Sequence, residues 1–206
     1  MTPARGSIGA RLQQTFYARD PVAVARDLLG CTLRHETPDG TTAGIIVETE
    51  AYLGDNDLAS HARFGKTRRG GKLFGPPGIA YVYFVYGMHY MLNVVAEVEG
   101  EAGGVLFRAV EPTEGVALMS RRRGLDEADP DGRPSAGLTS GPARLTQAFA
   151  ITLEQNGSPF TSGPLGIFER VAGRRFEIVN TGRIGVGGSA ELPLRFLLKG
   201  NIYVSG

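Results

Sequence analysis

The sequence YVYFVYGMHYMLNVV, which spans residues 81–95, contains two runs rich in β-branched and aromatic residues around the tetrapeptide YGMH. Such residues favour strands, and a glycine between two strand-like runs is typical of a tight reversal. We therefore predict a β-hairpin with strands at Tyr81–Val85 and Tyr90–Glu97 and with Tyr86 at its tip. The sheet that contains this hairpin is expected to be mainly antiparallel.

Further strand-like segments surround the hairpin in the chain. Cys31–His35 and Thr41–Tyr52 are joined by TPDG, a turn sequence. Val105–Ala109 follows the hairpin after a glycine-containing turn, and residues 165–205 alternate short strand-like runs with glycines. Because consecutive strands usually lie side by side, these segments indicate a single sheet.

Helical signals occur at four places between the strands. Asp20 and Pro21, which precede VAVARDLLG, are typical of a helix start, and Gly30 is typical of a stop. A short helix is predicted within 56–62, and a second helix is predicted to be capped by Thr113 and to end at Arg123, before Gly124. A polar linker at 126–137 follows, and after it a helix is predicted over Ala143–Ile151. Strands, a helix pair and further strands in this order indicate an α+β domain.

The composition limits the class of protein. The 206 residues are 42% hydrophobic, enough for one domain with its own core. No segment approaches the roughly 20 apolar residues that cross a membrane, and the first residues lack a secretory apolar region. Cys31 is the single cysteine, which excludes an internal disulfide framework and a C-x-x-C metal pair. We expect one cytoplasmic domain over residues 1–206, with residues 1–12 flexible, and no cofactor or metal.

The basic residues are more informative than the net charge of +1. Of the 22 basic residues three are lysines, so 22 − 3 = 19 are arginines. Arginine presents a planar fork suited to phosphate or carboxylate, although a GC-rich genome also favours it. A basic cluster without acids occupies the long polar stretch 54–78 and consists of Arg63, Lys66, Arg68, Arg69 and Lys72. This stretch is either a solvated loop or a phosphate-binding strip.

The segment IIVETEAY, at residues 45–52, carries an unusual set of polar side chains. Alternate residues of a strand share a face, so Glu48, Glu50 and Tyr52 point to one side. Such a set is typical of a solvent-facing surface, yet the apolar start of the segment indicates a central strand. An acid on a central strand beside an aromatic indicates a general base in a pocket. The spacing does not rank Glu48 and Glu50.

The tyrosines of the hairpin also allow two interpretations. Tyr81, Tyr83 and Val85 share one face of the first strand. Tyrosine stripes usually belong to a core, but three tyrosines within residues 81–86 favour a stacking surface.

Several separated motifs together resemble the alkyladenine (3-methyladenine) DNA glycosylase family, in its bacterial form. They are VETEAYLG (47–54), His61, YVYFVYGMHYMLNVV (81–95), FRAVEP (107–112), SGPARLTQAFAI (140–151) and RIGVGGSAELPLRF (183–196). The likeness runs from about Gln13 onward and keeps the family's motif order. It implies a single α+β domain with a curved, open-barrel-like, mainly antiparallel sheet, surrounding helices and a protruding β-hairpin.

The resemblance implies a catalytic role for three residues. Glu50 corresponds to the general base that activates the attacking water. Arg108 corresponds to the arginine that helps to hold this water and the adjoining phosphate, and Ile184 to a main-chain carbonyl that touches the water. Candidate phosphate-binding residues are Arg144, Lys66, Arg68, Arg69 and Lys72.

The resemblance also implies how the damaged base is held. Tyr52, His61 and Tyr83 correspond to the groups that sandwich the flipped base, and Asn93 to the asparagine that clashes with the 2-amino group of guanine. Tyr86 corresponds to the tyrosine that enters the minor groove, with Met88 beside it.

The residues considered alone leave other roles open. His61 could cap or bridge a loop, and Asn93 could satisfy backbone groups at a strand end. Arg108 could be a structural partner of Glu111 or Glu48. Arg144 could bind phosphate at a helix N-terminus or face solvent.

Two hypotheses of function follow. The first is a monofunctional, monomeric DNA glycosylase that removes alkylated or deaminated purines, such as 3-methyladenine, hypoxanthine and ethenoadenine, from duplex DNA. A lyase step would need an amine nucleophile, and the matched motifs contain no lysine; a zinc deaminase is disfavoured because H-x-E with P-C-x-x-C is absent. The alternative is a non-catalytic nucleic-acid-binding module with an aromatic β-surface.

Overall fold

A computed structural model describes residues 8–54, 56–125, 133–170, 173 and 175–206. Within these residues the α-helices are Gln14–Tyr17 (α1), Pro21–Leu28 (α2), Val116–Arg123 (α3) and Pro142–Ala148 (α4). The strands are Thr32–Thr37 (β1), Gly40–Tyr52 (β2), Ala80–Val85 (β3), His89–Val95 (β4), Gly104–Glu114 (β5), Leu165–Phe168 (β6), Ile178–Thr181 (β7) and Arg195–Leu198 (β8). Short 3₁₀-helices lie at His61–Phe64, Gly71–Phe74, Ala136–Leu138 and Leu153–Gln155.

The eight strands form one curled sheet in the order β3-β4-β5-β2-β1-β6, with β8 pairing both β2 and β7. Every pairing is antiparallel. Strand β2 is the longest, and one of its edges is divided: residues 40–45 pair with β1, whereas residues 48–50 pair with β8. The expected single α+β domain with a curved, mainly antiparallel sheet is therefore confirmed.

Strand β2 separates its side chains between two faces as its alternation predicts. Val47, Thr49 and Ala51 are buried towards the core, and the Thr49 hydroxyl donates to the Ala25 carbonyl of α2 at 2.8 Å. The other face presents Glu48, Glu50 and Tyr52, which is where the candidate site forms.

The hairpin β3–β4 protrudes from the sheet. The Met88 N–H donates to the Val85 carbonyl at 3.2 Å, and both residues between them have positive φ, 54° at Tyr86 and 69° at Gly87. Turns with positive φ at both central residues have the twist that matches the strands of a β-hairpin. Tyr86 is 78% exposed and Met88 is 68% exposed, so the tip carries two apolar side chains away from the core.

The helix predictions succeed in part. Helix α2 starts as expected, with the Asp20 carboxylate accepting the Ala23 N–H and Pro21 in the first turn. The prediction that Thr113 caps α3 is wrong: Thr113 lies in β5, and Gly115 precedes the helix. Pairing of β5 with β2 continues to Glu114, which leaves the helix to begin at Val116.

Other helix boundaries also differ from the sequence-based expectation. The last helix ends at Ala148 rather than Ile151. The helix expected within 56–62 is a 3₁₀-helix at His61–Phe64, and α1 has no counterpart among the predicted elements.

The chain start is anchored from residue 10 onward, where the Ala10 carbonyl accepts the Glu169 N–H at 2.8 Å. Arg11 forms an isolated antiparallel bridge with Phe168, and the Leu12 N–H donates to the Ile167 carbonyl at 2.9 Å. The rest of the expected flexible start, residues 1–7, and most of the expected linker, residues 126–132, lie outside the described residues. None of the helices in the described part of the chain has the length and apolar character needed to cross a membrane.

The start of α3 provides a test of the fold. A Cβ on Gly115 (φ +74°) would lie 2.1 Å from the Thr41 carbonyl oxygen, whereas a Cβ on Gly124 (φ +64°) would meet no atom within 4 Å. We expect Gly124→Ala to cost about 1–2 kcal/mol from left-handed backbone strain alone and Gly115→Ala to cost clearly more. Urea unfolding measures both; equal losses would show that the contact with Thr41 is relieved without cost.

Candidate active site

A cavity of about 740 Å³ opens between the hairpin, the loop after β2 and the loop after β7. Tyr52 of β2, Tyr83 of β3 and His61 of the first 3₁₀-helix all line it. Cavities of about 300–1,000 Å³ are typical of sites for small ligands. The three groups expected to hold a flipped base thus share one cavity.

Glu50 lies beneath the floor of this cavity and has no exposed surface. Its Oε1 accepts the Ile184 N–H at 2.9 Å and pairs with Nη1 of Arg108 at 3.1 Å. Its Oε2 accepts the Tyr52 hydroxyl at 2.9 Å. A carboxylate can accept about four hydrogen bonds, so among the described residues one acceptor position, on Oε2, is not used.

Glu48 is equally buried but has a larger set of donors. Its Oε1 accepts from Arg108 Nε at 3.0 Å, Arg195 Nε at 2.6 Å and Ser205 Oγ at 2.9 Å. Its Oε2 accepts the Ser205 N–H at 2.6 Å. Among the described residues Glu48 thus has four donors, three of them on Oε1, whereas Glu50 has three, and Glu48 is held by donors from two further segments, at Arg195 and Ser205.

His61, Tyr81 and Tyr83 form an aromatic wall of the cavity and hold one another in place. The His61 Nδ1 lies 2.9 Å from the Tyr81 hydroxyl, and the His61 and Tyr83 rings meet edge-on with centroids 4.7 Å apart. Tyr81 packs on Tyr83 with centroids 5.4 Å apart. His61 therefore bridges two segments, as its alternative interpretation suggests, and lines the cavity as well.

The rings of the cavity are uncharged near pH 7. Burial, with the neighbouring Arg69 and Arg63, lowers the pKa of His61 to about 4. Burial raises the pKa of Tyr83 to about 12 and, together with Glu50, raises the pKa of Tyr52 further. A neutral imidazole and two neutral phenols suit stacking with either a neutral or a cationic base.

A fully buried ion pair between Arg183 and Asp57 packs against the ring of Tyr52. Arg183 donates from Nη1 and Nη2 to the two carboxylate oxygens of Asp57 at 2.6 and 2.7 Å, and its guanidinium lies 4.8 Å from the Tyr52 ring centroid. Burial alone would raise the pKa of Asp57, but hydrogen bonds from Arg183 and from the Leu53 and Ala59 N–H groups outweigh it and lower the pKa. The pair connects the loop before His61 to the loop that follows β7.

Asn93 lines the cavity and is 5% exposed. Its Nδ2 donates to the Tyr81 carbonyl at 3.1 Å, across the β3–β4 pair. The amide thus satisfies backbone, as its alternative interpretation suggests, and is held rigidly at the cavity wall.

The phosphate-binding candidates occupy different places. Arg69 lines the cavity with its guanidinium 5.0 Å from the Tyr83 ring centroid, whereas Lys66 lies over the Phe74 ring. Arg68 and Lys72 are exposed and do not line the cavity. Arg144 is exposed and donates to the Ser140 carbonyl at 3.2 Å. A phosphate-binding role stays a prediction for each of them.

Arg108 combines two of the roles left open by the sequence. It lines the cavity, pairs with Glu50 and also binds Glu48. Ile184 reaches Glu50 through its N–H, while the expected contact of its carbonyl with water stays a prediction. The described residues contain no group of three or more His, Cys, Asp or Glu side chains suited to a metal ion.

Comparison with known proteins now gives the family. The model of the methylpurine-DNA glycosylase family matches residues 15–202. This chain belongs to the methylpurine-DNA glycosylase family.

Similar relatives extend over nearly the whole chain. A protein of Methanoculleus marisnigri is 48% identical over 197 residues, covering 94% of this chain and 98% of its own. A protein of Carboxydothermus hydrogenoformans is also 48% identical, over 195 residues, and the match again covers 94% of this chain and 98% of the relative. One of Rhodopseudomonas palustris is 44% identical over 203 residues, 98% of this chain and 94% of its own. All three are provisionally named 3-methyladenine DNA glycosylases.

Methylpurine-DNA glycosylases are base-excision repair enzymes that hydrolyse N-glycosidic bonds in DNA. The expected family and enzyme class are confirmed, and the alternative of a non-catalytic binding module is set aside. Within this glycosylase the sequence failed to single out Arg183, Asp57, Arg195 and Ser205. Arg183 and Arg195 do lie in the motif at 183–196, but their partners are distant in sequence and only the folded chain brings them together.

The electrostatics of His61 in this methylpurine-DNA glycosylase can be measured. Its folded pKa of about 4 lies below the unfolded value of about 6.5, so the unfolded state binds more protons between these values. His61 therefore contributes stability above about pH 6.5 that is lost as the pH falls towards 4. We expect NMR titration of the imidazole, assigned with His61→Gln, to show a neutral ring from pH 5 to 8; a midpoint near 6.5 would contradict the assignment.

Proposed function

We propose that this chain is a monofunctional DNA glycosylase that flips alkylated or deaminated purines out of duplex DNA and hydrolyses their N-glycosidic bond with a water activated by Glu50. The observation that carries the proposal is the Glu50 carboxylate, buried beneath an aromatic cavity with one acceptor position unused. The substrate class is the one that the resemblance implies, with 3-methyladenine, hypoxanthine and ethenoadenine as members, and the relatives' names agree with it.

Base flipping is needed because the glycosidic bond is not reachable inside a duplex. Extrusion costs a few kcal/mol, and stacking on an aromatic ring returns about 1–3 kcal/mol per base. Tyr52 on one side with His61 and Tyr83 on the other would supply such stacking. Their anchoring by Arg183 and by Tyr81 means that little conformational entropy is lost when the base enters.

The chemical step follows from the charge of Glu50. As the bond between the sugar and the base breaks, positive charge develops on the sugar, and a nearby carboxylate stabilises it. Water attacks the same sugar carbon while Glu50 takes its proton. The products are an abasic site and the free base, which leaves with the electron pair of the broken bond. A cationic alkylated base leaves as a neutral molecule, whereas a neutral base such as hypoxanthine needs a proton.

Arg108 and Ile184 have supporting roles in this proposal. The Arg108 guanidinium and the Ile184 N–H both bind Oε1 of Glu50, which leaves Oε2 for the water. The Ile184 carbonyl is proposed as the second acceptor of this water, and Arg108 as a contact of the phosphate beside the flipped nucleotide.

The hairpin tip is the proposed wedge. Apolar side chains inserted between base steps replace a displaced base in several classes of DNA-binding protein. Tyr86, with Met88 beside it, is the exposed apolar tip next to the cavity. Asn93, held at the cavity wall, is proposed to clash with the 2-amino group of guanine and so exclude the normal base.

The remaining DNA contacts are proposed to be electrostatic. The basic cluster after β2 and Arg144 would neutralise phosphates, which would make binding dependent on salt. We propose that the protein acts as a monomer on double-stranded DNA in the cytoplasm, at the nucleoid. Lys66, Lys72 and Lys199 do not line the cavity, which supports a monofunctional enzyme, because lyase chemistry requires an amine at the sugar.

The central test uses duplex oligonucleotides with one hypoxanthine, ethenoadenine or 3-methyladenine, scored for alkali-labile abasic sites. We expect Glu50→Gln to reduce single-turnover excision by at least about 100-fold, the usual contribution of a general base, while lesion binding persists. Glu177→Gln, on an exposed residue paired with Lys199, serves as the control.

Two outcomes would count against this proposal. Turnover by Glu50→Gln close to the wild-type rate would move the general base elsewhere. A wild-type protein that binds these lesions but releases none of the bases would refute the proposed substrate class.

The wedge assignment is tested by Tyr86→Ser. Because the side chain is 78% exposed, we expect an unchanged unfolding midpoint but weaker binding of lesion DNA by about 1–3 kcal/mol, the scale of one base stack. Val98→Ser removes another exposed apolar side chain away from the cavity and should leave affinity unchanged. Fluorescence anisotropy measures both variants, and equal affinities would remove Tyr86 as the wedge.

A further inference from the structure

Four buried charged side chains form a cluster that connects three strands. Glu48 and Glu50 lie on β2, Arg108 on β5 and Arg195 on β8, and each side chain is at most 11% exposed. Two carboxylates and two guanidiniums balance one another. Burial of charge is costly unless each ion is paired and hydrogen-bonded, so the geometry of each member constrains the others.

Arg108 is shared between the two carboxylates. Its Nε donates to Oε1 of Glu48 at 3.0 Å, while its Nη1 lies 3.1 Å from Oε1 of Glu50. The Ser205 hydroxyl accepts from Nε and Nη2 at 3.3 and 3.2 Å. Because a guanidinium is planar and rigid, these contacts leave Arg108 a single nitrogen to offer to Glu50. A bidentate pair, which would cover Oε2 as well, would use Nη1 and Nη2 and therefore requires release of Nη2 from the Ser205 hydroxyl, which itself donates to Glu48.

Glu48 is itself held by Arg195 and Ser205. Arg195 donates from Nε to Glu48 and from Nη2 to the Ser205 carbonyl. Ser205 in turn donates to both oxygens of Glu48. These contacts fix the position of the Glu48 carboxylate, and Glu48 in turn fixes the position of the Arg108 guanidinium.

Building on the proposed glycosylase mechanism, we propose that Glu48, together with Arg195, is a positioning residue. The pair fixes the orientation of Arg108, which binds Glu50, and the balance of charge around Glu50. It holds Arg108 in a one-nitrogen contact with Glu50, which leaves Oε2 for water. It also balances Arg195, so that Glu50 faces no excess of positive charge and keeps its strength as a base.

The groups that act on Glu50 come from every element around it. They are Arg108 of β5, Tyr52 and Glu48 of β2, Arg195 of β8, Tyr83 of β3, and Arg183 with its partner Asp57 from the flanking loops. Arg195 is the backbone partner of Glu50 in the β2–β8 pair, but among the described residues the side chains of Glu48 and Arg195 neither bond to the Glu50 carboxylate nor line the cavity. Their charges can therefore be removed without touching the proposed base or the base-binding surface.

The test compares Glu48→Gln, Arg195→Gln and the double variant by single-turnover excision as a function of pH. Glu48→Gln leaves an extra positive charge near Glu50. We therefore expect the acidic limb of the pH–rate profile, where excision falls as the general base is protonated, to move to lower pH by about one pH unit. We also expect the plateau rate to fall about tenfold, because the base is weaker and Arg108 can cover it. Arg195→Gln leaves an extra negative charge and should move the limb to higher pH.

The double variant restores the charge balance and should return the limb to near its wild-type position. Opposite displacements that cancel cannot arise from a general loss of packing, which would lower activity in the same way in each variant. Lesion affinity should remain within about twofold of wild type because Tyr52, His61 and Tyr83, which are proposed to hold the base, are unchanged, and Glu177→Gln should match the wild type throughout.

Several outcomes would overturn the inference. Limbs that stay at the wild-type pH in both single variants, or that move in the same direction, would leave Glu48 a structural role only. If the unfolding midpoint shows that Glu48→Gln does not fold, Arg195→Gln alone must still move the limb to higher pH. Absence of excision by the wild-type protein is a separate result, which would refute the proposed function and not the coupling.

Discussion

The buried guanidinium of Arg108, shared by Glu48 and Glu50, is the constraint on which the site depends. A carboxylate without exposed surface must have several donors, and Glu50 obtains them from β5, from its own strand and from the Ile184 loop. This is possible because one edge of β2 changes partner from β1 to β8 near Glu48. The curl of the sheet brings β8 and β5 to the same segment, so the fold and the charge cluster require each other.

The parts of the fold that follow local rules could be predicted from the sequence. Alternation separates Glu50 from Thr49, and the glycine in YGMH marks the hairpin, because both signals depend on near neighbours. The cap at Thr113 could not be predicted, since pairing of β5 with β2 overrides the local helix signal. The different donor sets of Glu48 and Glu50 depend on Arg195 and Ser205, which only tertiary folding brings into contact with Glu48.

The aromatic walls of the cavity are held rigidly, whereas the hairpin tip beside the cavity is exposed. Tyr52 rests on a buried ion pair, and Tyr83 packs against Tyr81 and His61. These rings form fixed, neutral walls, whereas the tip of the hairpin extends into solvent. Such a division suits the proposed base flipping, in which a displaced base is held rigidly while the hairpin tip fills the space it has left.

The backbone at the hairpin tip has a consequence for engineering. Tyr86 has φ 54°, a conformation that costs a β-carbon-bearing residue about 1–2 kcal/mol and that glycine adopts without strain. A search for heat-resistant variants that ranks substitutions by stability alone would favour glycine at this position. It would thereby remove the proposed wedge, an example of stability gained at the expense of activity. Position 86 should therefore be held fixed in any such selection.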